Sequence, residues 1–206
     1  TAGTPSAATV TVTNTAAVAG RSAVFTANVQ STGNGGGTVT LTVNGHTYVG
    51  SIAPGSTSAA FTVPTPAAGT FSYGNGAGDG FQPNLAGVAP APINTTGTTL
   101  TYSVAKSTAT VSASTPSVSH LSTGGYALVK VGAAGLTPTG TVSVILKTTT
   151  GVTKYGFAAK ALSGGAAKVT FNRTLAHGAY YVWVYYSGNG NITAKPWARL
   201  ATLVVS

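Results

Sequence analysis

The sequence predicts an all-β protein made of two tandem antiparallel sandwich domains, and three observations support this. Threonine and valine, whose β-branched side chains favour pleated strands, are abundant along the whole chain. The 28 glycines and 10 prolines supply frequent turns between short alternating segments. Similar segments recur in the two halves of the 206 residues, which suits two domains of about 100 residues.

The internal repeat predicts where the two domains lie. Residues 37–43 read GTVTLTV, and residues 140–146 read GTVSVIL. The offset between matching segments grows along the chain, so the second copy carries insertions. A duplicated domain explains this pattern, with one domain over residues 1–104 and the other over residues 105–206.

Short alternating runs bounded by turn residues predict the strands of each copy. In the first copy we expect strands near residues 8–14, 22–30, 37–49, 58–63, 70–75 and 98–104. A long loop rich in glycine, proline and asparagine is expected over 76–97. In the second copy we expect strands near residues 108–114, 125–133, 140–147, 152–161, 166–172, 179–187 and 199–205. About seven short strands with regular turns are typical of the immunoglobulin-like β-sandwich, so we predict two such domains.

The side-chain chemistry argues against an enzyme. The chain has a single carboxylate side chain, Asp79, which we interpret as a turn residue of a glycine-rich loop. Glycosidases need two carboxylates, calcium sites need several, and a Ser-His-Asp triad needs an orienting acid. The chain has no cysteine, and His46, His120 and His177 are widely separated. We therefore expect a non-enzymatic protein with no metal site and no other cofactor.

The positive charge is concentrated in the second half of the chain. Residues 1–104 carry only Arg21 and Asp79, whereas the remainder carries nine lysines and arginines and no acid. Such asymmetry either attracts acidic polymers or keeps a sparsely charged domain soluble. The bases stand singly rather than in clusters, so we expect no nucleic-acid partner.

Two features predict a secreted or cell-surface protein. No apolar run approaches the ~20 residues of a membrane span, so membrane insertion is not expected. The chain contains no methionine and begins with Thr1-Ala2-Gly3, as expected after removal of a leader, although a piece of a longer protein could begin in the same way.

Three motifs of the second copy connect the chain to a known family. Residues 138–142 read PTGTV, residues 165–170 read GAAKVT, and residues 178–189 read GAYYVWVYYSGN. They resemble the bacterial Ig-like repeat domains of the group 3 type, clearly over residues 106–206 and more weakly over 1–104. The resemblance implies a spacer, stalk, adhesive module or assembly unit of a secreted or surface protein, with no catalytic residues.

The last motif predicts an aromatic strip on the outside of the sandwich. Alternate side chains of a strand point to opposite faces. Under the family pattern the inward residues are Tyr180, Val182, Val184 and Tyr186. Tyr181, Trp183 and Tyr185 then point outward, and Ile145 and Lys147 of the neighbouring strand are expected beside Trp183. Contiguous exposed apolar side chains usually mark an interface.

Three interpretations of this strip remain open. It is covered by another part of the same chain, it is a contact between copies of the protein, or it is a platform on which sugar rings stack. The scarcity of carboxylates and amides, which usually bind sugar hydroxyls, weakens the third interpretation.

Two functional hypotheses follow. In the first, the protein is a self-assembling subunit of a pilus-like surface filament or a surface layer, because low charge removes repulsion between copies. Strand addition would use Thr9, Val10, Thr11 and Val12 as donor and the edge of Leu200–Val205 as acceptor. In the second, the chain is a spacer or adhesive module of a larger surface protein or secreted enzyme. That module would bind polysaccharide or an acidic polymer of the cell envelope.

Overall fold

The computed structural model of the chain has β-strands as its regular structure. The described residues are 9–14, 17–30, 37–43, 46–54, 56, 58–65, 67–73, 80–85, 100–119 and 124–206. Within these ranges no helix occurs. The chain divides into two compact units, Thr1–Ala105 and Lys106–Ser206, one residue from the predicted boundary between residues 104 and 105. That each unit folds by itself stays a prediction.

The described strands are numbered along the chain. Those of the first unit are β1 (Thr9–Asn14), β2 (Ala17–Val18), β3 (Arg21–Gln30), β4 (Gly37–Val43), β5 (His46–Ile52), β6 (Ser58–Thr65), β7 (Gly69–Tyr73), β8 (Gly80–Leu85) and β9 (Leu100–Ala105). Those of the second unit are β10 (Thr110–Ser114), β11 (Tyr126–Gly132), β12 (Thr141–Thr148), β13 (Thr153–Ala161), β14 (Ala166–Thr170), β15 (Gly178–Tyr186) and β16 (Lys195–Val205).

The second unit is an immunoglobulin-like β-sandwich. Its strands form a three-stranded sheet in the order β10-β11-β14 and a four-stranded sheet in the order β13-β12-β15-β16. All these pairs are antiparallel. Val129 and Val169 of the first sheet and Val144 and Val184 of the second are buried in one apolar cluster. The predicted fold class is therefore confirmed, because alternate residues of both sheets make a shared core.

Two tyrosines anchor the ends of β15 inside this core. The Tyr180 hydroxyl donates to the carbonyl oxygen of Ala176 at 3.1 Å, the arrangement known as a tyrosine corner in immunoglobulin-like domains. The Tyr186 hydroxyl donates to the carbonyl oxygen of Thr139 at 2.7 Å. Burial raises the pKa of Tyr180, Tyr155 raises it further, and the bond to Ala176 lowers it. Burial also raises the pKa of Tyr186.

The first unit is also built of small sheets around a buried core. Its described strands form the sheets β1-β3-β6, β5-β4-β8 and β2-β9-β7, with β2 and β9 parallel and the other pairs antiparallel. Phe25 of β3 and Phe61 of β6 are paired in register and fully or almost fully buried. Val63 and Val104 are buried as well, so apolar side chains from β3, β6 and β9 supply this core.

One long strand of the second unit corresponds to two short strands in the first. In the second unit β15 pairs with β12 on one side and with β16 on the other. In the first unit β8 pairs with β4, whereas β7 pairs with β9. The loop predicted over 76–97 is therefore wrong at Gly80–Leu85. The sequence does not suggest a strand here, because it contains Gly80 and Pro83, and both residue types are depleted in strands. However, β8 lies at the end of its sheet, where proline is tolerated.

The single strand predicted over 37–49 is also wrong. The structure has two antiparallel strands there, β4 and β5, and Val43 is paired with His46. Two residues therefore connect the strands, and they are Asn44-Gly45, the dipeptide most typical of a tight hairpin.

Candidate interaction surface

The sequence-predicted aromatic strip lies on the outer face of the four-stranded sheet. On β15, Tyr181, Trp183 and Tyr185 are partly exposed, and the residues between them are buried. The register places Ile145 of β12 opposite Trp183, and Lys147 opposite Tyr181. The outward residues of β15 and their neighbours on β12 thus lie where the sequence predicted them. The binding role of these residues stays a prediction.

The outer face extends onto β16 because of an irregularity in strand pairing. Val182 pairs with Ala201, whereas the next residue, Trp183, pairs with Arg199. Leu200 is therefore an extra residue, and extra residues of this kind reverse the side to which the following residues point. Strict alternation from the buried end of β16 would place Arg199 inside. Arg199 was not among the residues predicted for this surface.

Trp197 also joins this surface and is its most exposed aromatic ring. Its side chain is 42% exposed, and its ring centre lies 5.7 Å from that of Tyr185. We name the outer surface formed by these rings the aromatic face. The rings of the aromatic face are Tyr181, Trp183, Tyr185 and Trp197.

Two cations lie over rings of the aromatic face. The Lys147 ammonium nitrogen lies 4.4 Å from the centre of the Trp183 ring. The guanidinium carbon of Arg199 lies 3.5 Å from the centre of the Tyr181 ring. Each contact is worth about 0.5–1 kcal/mol at an exposed site. Because the second unit has no Asp or Glu, these cations have no side-chain carboxylate of their own unit as a partner.

The indole nitrogen of Trp183 is buried and lacks a hydrogen-bond acceptor among the described residues. Leaving such a donor without a partner costs about 1–3 kcal/mol. Lys147 of the same unit lies over the ring that carries this nitrogen. The aromatic face is therefore partly covered by its own cationic side chains, and Trp197 offers the most accessible stacking surface.

The strand proposed as donor is already paired. Thr9, Val10, Thr11 and Val12 lie in β1, and each is paired with a residue of β3 within the same unit. Because β1 is the terminal strand of its sheet, one of its two sides is occupied in this way. Donation of this segment to another copy would require it to leave β3, so its role in strand addition stays a prediction.

The proposed acceptor edge is occupied near its end. The Val118 amide donates to the carbonyl oxygen of Val204 at 3.1 Å, and the Ser206 amide donates to that of Val118 at 3.0 Å. Part of the proposed acceptor edge Leu200–Val205 is therefore paired within the same unit, and its role in strand addition stays a prediction. Residues ahead of β11 satisfy the last backbone groups of this edge locally, which protects the sheet from pairing with other chains.

The polar candidates that the structure describes are two separate histidines. His46 and His177 are exposed, while Asp79 and His120 lie outside the described residues. Among the residues with described positions, no group of three or more His, Cys, Asp or Glu could hold a metal ion. The same part of the chain contains no helix long and apolar enough to cross a membrane.

Comparisons with known proteins add only a distant likeness. No protein-family model and no curated protein matches the chain. Among the 17 solved chains that match, one contains the FN1–FN3 domains of chicken CNTN1, at 10% identity and a TM-score of 0.29. That alignment covers 98% of this chain and 64% of the other, so this chain spans less than two thirds of its length. The immunoglobulin-like fold assignment rests on the strand order and shared core described above.

Proposed function

We propose that this chain is a non-enzymatic, extracellular module of the bacterial group 3 Ig-like type, secreted or attached to the cell surface. The sandwich fold is common in cell-surface domains, which supports a structural or adhesive role. The single carboxylate of the chain supports the absence of catalysis, because glycosidases need two carboxylates and a Ser-His-Asp triad needs an acid beside its histidine.

The aromatic face is the contact surface in this proposal, and its partner is a polysaccharide of the cell envelope. The observation that carries this choice is Trp197, a large ring that is 42% exposed and lies beside Tyr185. Arg199, two residues further along β16, supplies hydrogen-bond donors next to the rings. Rings that present a flat apolar surface beside fixed donors suit sugar residues, which have apolar faces and hydroxyl-bearing edges.

Charge favours a polymer over a second copy as the occupant of this face. The second unit carries nine bases and no acid, and the whole chain has one carboxylate. A symmetric contact would bring Lys147 and Arg199 close to the same cations of the other copy, and like charges that are brought together oppose association. A neutral or acidic polysaccharide meets no such repulsion.

Binding of the full chain to envelope polysaccharides tests the proposal. Trp197→Ala should weaken binding about tenfold or more, because a ring that the partner buries at the centre of an interface contributes about 2 kcal/mol or more to the binding free energy. Val49→Ala is the matched control, since Val49 is a 66% exposed apolar residue of the first unit. Equal binding by wild type, Trp197→Ala and Val49→Ala would reject the aromatic face as the contact.

A self-assembling subunit of a pilus-like filament or surface layer is the second candidate function. Trp197 and Val204 are 42% and 51% exposed on the last strand of the four-stranded sheet, so an apolar contact for a neighbouring copy is available. Negative-stain electron microscopy of the full chain with a Trp183→Ser variant separates the two functions. Filaments or sheets that disappear in the variant would favour assembly, whereas single particles in both samples would favour the adhesive module.

A further inference from the structure

A groove of about 410 Å³ opens in the second unit between β13 and β14. These are terminal strands of the two different sheets of the sandwich. They are joined by a short turn in which Ser163 and Ala166 bond to each other through their backbones at 2.8 and 3.0 Å. The lining includes Phe157, whose ring centre lies 4.8 Å from that of Phe171 in the core. The groove therefore adjoins the apolar core of the unit.

The groove is lined by cations without matching acids. Lys160, Lys168 and Arg173 line it, and the unit contains no Asp or Glu. Among the described contacts, the side chains of Lys160, Asn172 and Arg173 make no hydrogen bond or ion pair, and all three residues are exposed. The Lys168 ammonium nitrogen lies 4.1 Å from the centre of the Tyr126 ring, which restrains it beside the groove.

The two unpaired cations stand at opposite ends of the groove. The chain reverses direction between β13 and β14, and the ring of Phe157 lies beside that of Phe171. Lys160 lies between Phe157 and the turn, whereas Arg173 follows Phe171 on the side away from the turn. At about 3.3 Å per strand residue, the part of β13 that lines the groove spans roughly 13 Å. A chain with repeated charges suits cations that are spaced along a groove of this length.

We propose that this groove binds an extended acidic polysaccharide through its carboxylate, sulfate or phosphate groups. Lys160 and Arg173 contact successive anionic groups, Asn172 offers its amide to sugar hydroxyls, and Phe157 supplies an apolar wall. The inference rests on the polymer-binding role proposed above. It uses residues that are separate from the aromatic face, so each site can be tested alone.

An acidic peptide fits the groove less well than a polysaccharide. A peptide would add a strand to the edge of β13, and this needs a regular edge. Pairing between β12 and β13 shifts between Val142↔Lys160 and Val144↔Phe157, so β13 has an extra residue inside the groove. Irregularities and lysines on an edge strand oppose strand addition. A second copy of this chain is also a poor occupant, because it offers a single carboxylate side chain.

The test measures binding of the full chain to polygalacturonate and to dextran sulfate, with neutral dextran and poly-glutamate as comparison polymers. The variant Lys160→Gln/Arg173→Gln should lose about tenfold in affinity for both acidic polysaccharides, as expected for the loss of charged hydrogen bonds. The control Lys130→Gln/Lys195→Gln removes the same charge from exposed lysines outside the groove and should change the affinity less than about twofold. Thermal unfolding confirms that both variants are folded.

Four outcomes overturn the inference. They are an equal loss in the control variant, tighter binding of poly-glutamate, equal binding of neutral dextran, and no loss in the groove variant. Trp197→Ala separates this site from the aromatic face. Loss in the groove variant with full binding by Trp197→Ala supports the groove and rejects the aromatic face, whereas the reverse pattern supports the aromatic face and rejects the groove.

Discussion

The ammonium nitrogen of Lys147 lies 4.4 Å from the centre of the Trp183 ring, across the pair of strands β12 and β15. Lys147 is opposite Tyr181 in register, so its side chain reaches diagonally to the next ring on the same face. Diagonal neighbours on one face of a sheet are within reach of long side chains. The lysine thus contacts a ring in a unit that has no Asp or Glu to pair with it.

This pair should have a measurable coupling energy. A double-mutant cycle with Lys147→Met and Trp183→Leu, measured by urea unfolding, should give a favourable coupling energy of about 0.5–1 kcal/mol. Each single substitution removes the contact between cation and ring, so the cycle isolates its contribution to the free energy of unfolding. The control cycle replaces Lys147→Met with Lys154→Met, an exposed lysine of β13 with no ring contact among the described residues. A coupling near zero in both cycles would show that the contact does not stabilise the unit.

Alternation along β15 was predictable from sequence, whereas the composition of the whole surface was not. The period of two in a strand determines which side chains of β15 share a face, and Tyr181, Trp183 and Tyr185 lie as expected. Trp197 was missed because the last strand was predicted to begin at residue 199, whereas β16 begins at Lys195. The outward side of Arg199 depends on the extra residue at Leu200, which reverses the alternation in β16. An irregularity of this kind depends on how β16 pairs with β15, and no local sequence feature predicts it.

The first unit shows the same limit at its longest predicted loop. Gly80–Leu85 lacks an alternating apolar pattern, yet it pairs with β4 over six residues, from Gly37↔Leu85 to Thr42↔Gly80. Pairing with the backbone of β4 stabilises this strand, and the β-propensity of its own residues does not reveal that pairing. The hairpin of β4 and β5, in contrast, had a local signal in Asn44-Gly45 that the interpretation of 37–49 as one strand overlooked.

The loss of stability on replacing Trp183 should depend on whether only the indole nitrogen or the whole ring is removed. Trp183→Phe removes a buried donor that has no described acceptor, so the gain offsets part of the lost packing and the change stays within about 1 kcal/mol. Trp183→Ala also removes the ring and should cost about 3 kcal/mol. Urea unfolding of both variants measures the difference. A loss in Trp183→Phe as large as that in Trp183→Ala would mean that the nitrogen has a partner in solution.

Alanine substitutions at two glycines with positive φ distinguish the cost of backbone strain from the cost of a steric clash. At Gly188, with φ of 70°, an added Cβ would lie 2.6 Å from the amide nitrogen of Ala194. At Gly151, with φ of 90°, an added Cβ would meet nothing within 4 Å. Gly151→Ala should therefore cost about 1–2 kcal/mol from the left-handed backbone alone.

Gly188→Ala should cost about 1–3 kcal/mol more than Gly151→Ala, because its clash is with backbone that cannot move aside easily. Thermal or urea unfolding of the two variants gives the comparison directly. Equal losses would mean that the segment around Ala194 relaxes without cost.

Alkaline pH should destabilise the second unit through its buried tyrosines. The pKa values of Tyr180 and Tyr186 are raised by burial above their ordinary value of about 10. In the unfolded chain these hydroxyls lose their protons first, so the unfolded state binds fewer protons than the folded state as pH rises. Their contribution to stability is therefore fully present below about pH 10 and is lost as pH rises through the folded pKa values.

The variant Tyr180→Phe/Tyr186→Phe should be less stable than wild type at neutral pH, by about 1 kcal/mol for each lost hydrogen bond. It should also lose less stability than wild type as pH rises above about 10, because it lacks the two hydroxyls that titrate on unfolding. Urea unfolding across a series of alkaline buffers measures both effects. Parallel stability curves for wild type and variant would exclude these tyrosines as the cause of alkaline unfolding.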